Sequence, residues 1–186
     1  EEMARSITEA LAKTSIGNPV LETVRMGSLA GKQQQAEVRE QVGKLLAASQ
    51  LIYGSLDSVE LIDADAKAGA FLSPLLLLND KPFHQHASHE IEAFGPVSTL
   101  MPYRGMEEAL ALSRMGKGSL CSTVVTADSE VARKYVMGAG PWHGRILVLN
   151  AECARESTGH GSPLPLLVHG GPGRAGGGEE MGGVRG

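Results

Sequence analysis

Apolar residues recur at helical spacing in two places near the start of the chain. Over residues 1–14, Met3, Ile7, Ala10, Leu11 and Thr14 share one face, which predicts an amphipathic helix. Glu1 and Glu2 suit the positive end of its dipole, and Gly17-Asn18-Pro19 ends it. Over residues 33–49, Val38, Val42, Leu45 and Leu46 repeat the pattern with charges opposite. The Gly- and Ser-containing stretch 21–32 between them reads as a loop. Shorter apolar runs then predict strands over 51–54, 70–78, 97–103, 120–127 and 145–150, the fourth rich in Thr and Val. Pro74 lacks an N–H and favours an edge or a start position in its run. Residues 55–69 are polar and read as irregular, and 79–82 as a turn. One or two helical turns are expected over 83–91. A helix centred on Leu110 is expected over 107–117. Another should run from an Asp128 N-cap to Met137, with Gly138 as its stop. Strands alternating with helices predict an α/β fold, with a mainly parallel sheet and helices on both faces.

Composition narrows the function. A hydrophobic fraction of 42% over 186 residues allows one domain with a proper core. The net charge of -4 argues against nucleic acid or an anionic membrane as partner. An aromatic share of 4% argues against a base-stacking surface. The longest apolar run, 71–78, is far short of the roughly 20 residues that span a bilayer. No signal peptide is evident. Cys121 and Cys153 lack paired spacing, which suits a reducing, cytoplasmic setting. The chain opens inside a helical pattern and ends straight after a glycine-rich run, so it reads as a piece of a longer protein.

Four groups of residues bear on chemistry. Glu92 and Phe94 stand where a polar helical turn gives way, through Gly95-Pro96, to an apolar strand. A carboxylate there can accept hydrogen bonds from two neighbouring hydroxyls, such as those of a ribose, and a phenyl ring can wall a flat heterocycle. The plainer alternative is a solvated Glu and a core Phe at a helix end. Gly171, Gly173 and Gly176 match G-x-G-x-x-G, with 164–168 as the strand before them. The glycines and Glu179-Glu180 that follow make a poor helix, and no Lys-Ser or Lys-Thr follows, so neither the dinucleotide fingerprint nor the P-loop is met. A loop whose backbone passes close to something is the better reading. One of the two glutamates could point inward as a proton-transfer group, or both could be solvated. His84, His86, His89 and Glu90 are compact enough to suggest a metal site, although a solvated helical turn is the plainer reading. Cys121, inside an apolar strand, is expected to be buried and inert. Cys153, in a polar loop with His143 and His160 nearby in sequence, is a weak candidate nucleophile.

A chain of landmarks resembles the aldehyde dehydrogenase family. Met26-Gly27-Ser28-Leu29, then Gln34 and Val38, is similar to the family's Gly-Pro-Leu segment and the helix after it, with Ser28 in place of Pro. Gly69 to Pro74 resembles its Gly-aromatic-Phe-x-x-Pro strand. Glu92-Ala93-Phe94-Gly95-Pro96-Val97 matches its Glu-x-Phe-Gly-Pro-Val signature, the most specific of the set. Gly118 to Asp128 and Gly144 to Asn150 resemble two further strands, and Glu180-Met181-Gly182 its Glu-Leu-Gly. The run from His169 to Glu180 departs from the common Pro-Phe-Gly-Gly form. It resembles the branch that oxidises coenzyme A-linked ring-cleavage semialdehydes in benzoate and phenylacetate breakdown.

The resemblance implies a partial catalytic domain over 1–186, with residues 170–186 as the glycine-rich segment. The cofactor-binding domain, the oligomerisation strand, the nucleophilic Cys and the general-base Glu would all lie outside the chain. It implies that a cysteine thiolate attacks the aldehyde, that hydride passes to NAD or NADP, and that the resulting thioester is hydrolysed. Glu92 would hold the nicotinamide ribose and Phe94 would flank the nicotinamide. Glu180 would be a proton relay, and Asn150 and Cys153 would line the aldehyde tunnel. The whole protein would be a cytoplasmic homodimer or homotetramer without a metal. The chain alone would be inactive. The rival reading is a non-catalytic binding or assembly module.

Overall fold

A computed structural model describes residues 1–157 and 170–176. The chain divides into two compact units, the second beginning at Tyr103. Helices α1 (Glu2–Leu11) and α2 (Lys32–Leu45), strands β1 (Gln50–Tyr53) and β2 (Leu75–Leu78), the single-turn helix α3 (Ala87–Glu90) and strand β3 (Val97–Leu100) form the first. Helix α4 (Gly105–Met115), strand β4 (Ser119–Val125), helix α5 (Ser129–Ala139) and strand β5 (His143–Leu149) form the second, with 3-10 turns at Gly140–Trp142 and Gly173–Ala175.

The first unit is built on β2. The strand order is β1-β2-β3, antiparallel to β1 and parallel to β3. With both neighbours paired, Leu75, Leu76 and Leu77 are buried, as an unbroken leucine run requires. On α2 the buried residues Gln35, Val38, Val42 and Leu45 recur at helical spacing. Val38, Val42, Leu72 and Leu75 make the core, and Ala93 and Val97 pack against it. The predicted run 70–78 forms a strand only from Leu75. Pro74 has no N–H for a ladder, so it stands just before the strand. Upstream of it the backbone pairs elsewhere: Ala70 O accepts from Leu29 N (3.0 Å), and Phe71 O accepts from the Gln35 side chain.

In the second unit β4 and β5 pair in parallel, with Cys121 opposite Arg145 and Val125 opposite Leu149. Asp128 caps α5 as expected, Oδ1 accepting from Glu130 N (2.8 Å) and Val131 N (3.2 Å). Gly138 does not stop that helix. It lies inside α5, where an added Cβ would stand 2.6 Å from Leu110 Cδ1, so its glycine serves the approach of α4. The helix runs on to the fully buried Ala139 and gives way at Gly140-Pro141, where Pro lacks a donor. Cys121 is a second correction: it is exposed, not buried. Its neighbours on that face of β4, Thr123 and Val125, are exposed too, so an apolar strand pattern did not imply burial here. Two of the three strand pairings among the described residues are parallel, and the fold is α/β.

Candidate active-site cleft

The cleft is made by the segment that links α3 to β3. One helical turn ends at Glu90, and Ile91 is extended (φ -105°, ψ 125°). From there side chains alternate: Ile91 and Ala93 are half-buried, while Glu92 and Phe94 are exposed. The chain then tightens through two successive three-residue turns. Gly95 N donates to Ala93 O (2.7 Å) and Val97 N to Gly95 O (2.7 Å). Gly95 lies flat on α2, where an added Cβ would be 2.9 Å from a Val38 methyl. Pro96 O accepts from Leu75 N (2.8 Å), which ties the corner to the central strand.

Gln34 completes the wall. Its Nε2 donates to Phe94 O (2.7 Å) and its Oε1 accepts from Ala30 N (3.0 Å), so one amide joins the loop before α2 to the corner. Glu92 and Phe94 line one cleft of about 610 Å³ with Gln34, Ser88, Leu29 and Met101. Phe94 is 70% exposed, so its ring faces the open cleft rather than the core. Among the described residues no hydrogen bond or ion pair holds the Glu92 carboxylate, and its acceptor oxygens are available. The sequence offers Glu92 and Phe94 as candidates beside a plainer reading, and the family resemblance supplies their roles. Gln34 was a landmark but not a site residue, because nothing local reveals a contact across 60 positions.

The remaining candidates stand on other elements. Asn150 and Cys153, in the second unit, share one turn after β5. Asn150 Oδ1 accepts from Glu152 N (3.0 Å) and Cys153 N (2.9 Å), and Asn150 N donates to the Cys153 sulfur (3.3 Å). Both of the other contacts of that thiol are with backbone carbonyls, so among the described residues no base stands against it. His143 instead meets the Ser119 hydroxyl through Nδ1, and burial holds its pKa below the usual histidine value. Glu180, Glu179, His160 and the 164–168 run lie outside the described residues. Of the histidine cluster, His86 and His89 meet edge to face, with ring centroids 6.5 Å apart. His89 is buried with Nε2 3.0 Å from Pro82 O, while His84 and His86 are exposed. Among the described residues no group of three or more His, Cys, Asp or Glu could hold a metal.

Glycines 170–176 do pass close to another backbone. A Cβ at Gly144 would lie 1.8 Å from Gly170 O, and one at Gly118 would lie 1.9 Å from Pro172 O. Arg174 N donates to Lys117 O (2.9 Å), which seats the turn on the amino ends of β4 and β5. Gly144→Ala should therefore lift this turn, at a cost of about 1–3 kcal/mol for overpacking. Hydrogen exchange at the Arg174 amide is the measurement: its protection should drop while the Asp128-capped amides of α5 stay protected.

The profile of the aldehyde dehydrogenase family matches residues 1–146. The chain belongs to that family. Among curated relatives it is 54% identical to Protein MaoC of Klebsiella aerogenes over 162 residues, covering 86% of this chain and 46% of that protein. It is 38% identical to the 3,4-dehydroadipyl-CoA semialdehyde dehydrogenase of Aromatoleum evansii over 170 residues, covering 91% and 33%. The chain thus spans a third to a half of the length of these relatives. A solved aldehyde dehydrogenase C from Pseudomonas syringae, complexed with NAD+ and octanal, superposes with a TM-score of 0.78 at 23% identity, covering 98% of this chain and 34% of that one. A succinic semialdehyde dehydrogenase from Streptococcus pyogenes, with NADP+, gives 0.77 at 20% identity, covering 97% and 35%. Both likenesses concern the fold. No helix among the described residues is long and apolar enough to cross a membrane.

Proposed function

We propose that the full-length protein oxidises an aldehyde to the carboxylic acid with NAD or NADP as hydride acceptor, and that this chain supplies the wall that holds the nicotinamide end. The observation that carries this reading is the pairing of a Glu92 carboxylate, unbonded among the described residues, with an exposed Phe94 ring on one cleft of about 610 Å³. That donor set fits a nicotinamide riboside. The carboxylate accepts from two vicinal hydroxyls, and the phenyl ring walls the flat heterocycle. When bound, the cofactor supplies the two-electron acceptor. Gln34 holds the Phe94 carbonyl, which fixes the backbone that carries the ring. In the same reading Glu180 moves a proton, and Asn150 and Cys153 line the path of the aldehyde.

The substrate class is a coenzyme A-linked semialdehyde from aromatic-compound breakdown. Its support is the 38% identity to an enzyme whose name states a CoA-linked semialdehyde, and the aromatic origin rests on the family-branch resemblance of the run from His169 to Glu180. The setting is cytoplasmic and the assembly a homodimer or homotetramer. The test uses purified full-length protein, following nicotinamide reduction with NAD and NADP against CoA-linked and free semialdehydes of equal length. A preference for the CoA-linked substrate of about tenfold or more in kcat/KM, ~1.4 kcal/mol, is expected. Equal rates would remove the CoA assignment. No reduction with any aldehyde would remove the dehydrogenase reading and favour an assembly module.

A further inference from the structure

We infer that Asn79 is a positioning residue for the cofactor cleft. This rests on the reading of the cleft given above. Asn79 follows the last leucine of β2 and is fully buried (0% exposed). A polar amide placed there is unfavourable unless its hydrogen bonds are made. They are made almost entirely to the segment that leads to Glu92. Nδ2 donates to Gln85 O (2.9 Å) and to Ser88 Oγ (3.3 Å), and Oδ1 accepts from Lys81 N (3.1 Å). Its own N–H donates to Leu100 O (2.9 Å), at the end of β3. One residue thus joins the ends of two core strands to the loop and helix between them.

The need for such a strut is physical. α3 has four residues and no side-chain cap, and a single helical turn does not hold its shape unaided. Ser88, which Asn79 grips, lines the cleft, as do Ile91 and Glu92 just beyond it. Asn79 itself is not among the lining residues. It acts through the segment: the buried amide sets where α3 ends, and that sets where the Glu92 carboxylate stands. A leucine or alanine would suit the apolar strand better, so the amide is explained by what it positions.

The test compares full-length enzymes carrying Asn79→Ala, Asn79→Asp, Glu92→Gln and Leu110→Ala. Leu110 is a buried core residue of the second unit and controls for lost stability. Asn79→Ala should raise the cofactor KM about tenfold, the loss expected when a buried amide's bonds go unmade, with a much smaller change in kcat. Leu110→Ala should lower Tm and leave cofactor KM unchanged. Asn79→Asp covers the case in which the alanine variant does not fold. Protonated, its carboxyl can donate to Gln85 O; ionised, it can only repel it. Its cofactor KM should rise with pH, relative to wild type, as that group ionises. A cofactor KM unchanged in both Asn79 variants, or raised equally by Leu110→Ala, overturns the assignment. If Glu92→Gln alone shifts cofactor KM, the strut fails and the cleft stands. If neither position matters, the cleft reading fails with it.

Discussion

Replacing Glu92 by Gln in the full-length protein should weaken nicotinamide cofactor binding about five- to tenfold, and Glu92→Ala should weaken it about ten- to a hundredfold. The two numbers come from one comparison. A hydrogen bond to a charged acceptor contributes roughly 1.5–3 kcal/mol, and one between neutral groups about 0.5–1.5. Gln keeps an acceptor oxygen in place and loses the charge, so it forfeits about 1–1.5 kcal/mol. Ala loses the whole interaction. Because Glu92 is exposed and no partner among the described residues depends on it, neither change should alter stability by more than about 0.5 kcal/mol. Equilibrium titration with NAD and NADP, together with single-turnover hydride transfer, reads the effect. Affinity and rate both unchanged in Glu92→Ala would remove the carboxylate from the site.

The largest stability effect should come from Leu75→Ala. Leu75 is 1% exposed and belongs to the core cluster with Val38, Val42 and Leu72. Its backbone N–H is bonded to Pro96 O, so the same residue anchors the cleft corner. Truncation leaves a cavity bounded by a helix and a paired strand that cannot collapse freely, which puts the cost at about 2–5 kcal/mol. For a chain of this size each kcal/mol moves Tm by about 2–4 °C, so a drop of roughly 4–20 °C is expected. Calorimetry of wild type and variant measures it. A shift under about 2 °C would mean that the central leucine is not packed as described.

The parts of the molecule legible in sequence are those where a local pattern has a single physical meaning. The valines of α2, the Thr- and Val-rich run of β4 and the Asp128 cap each lie where periodicity or cap chemistry puts them. The alternation of Glu92 and Phe94 on an extended segment likewise follows from their spacing of two. What stayed hidden depends on a neighbour distant in sequence. Residues 70–74 look like strand but bond to α2 and the loop before it. Gly138 looks like a stop but makes room for Leu110. Cys121 looks like core but stands exposed. Gln34 and Asn79 shape the cleft through bonds that no periodicity encodes.

The absent side chain at Gly95 ties interior volume to cleft shape. Val38 presses one face of its methyls into the core and another against the Gly95 backbone. Bulk added at either position has to be matched by bulk removed at the other, so drift in this family branch should move the pair together. Retuning the ligand space from the inside is therefore possible only in steps that also reset how firmly the first unit holds together.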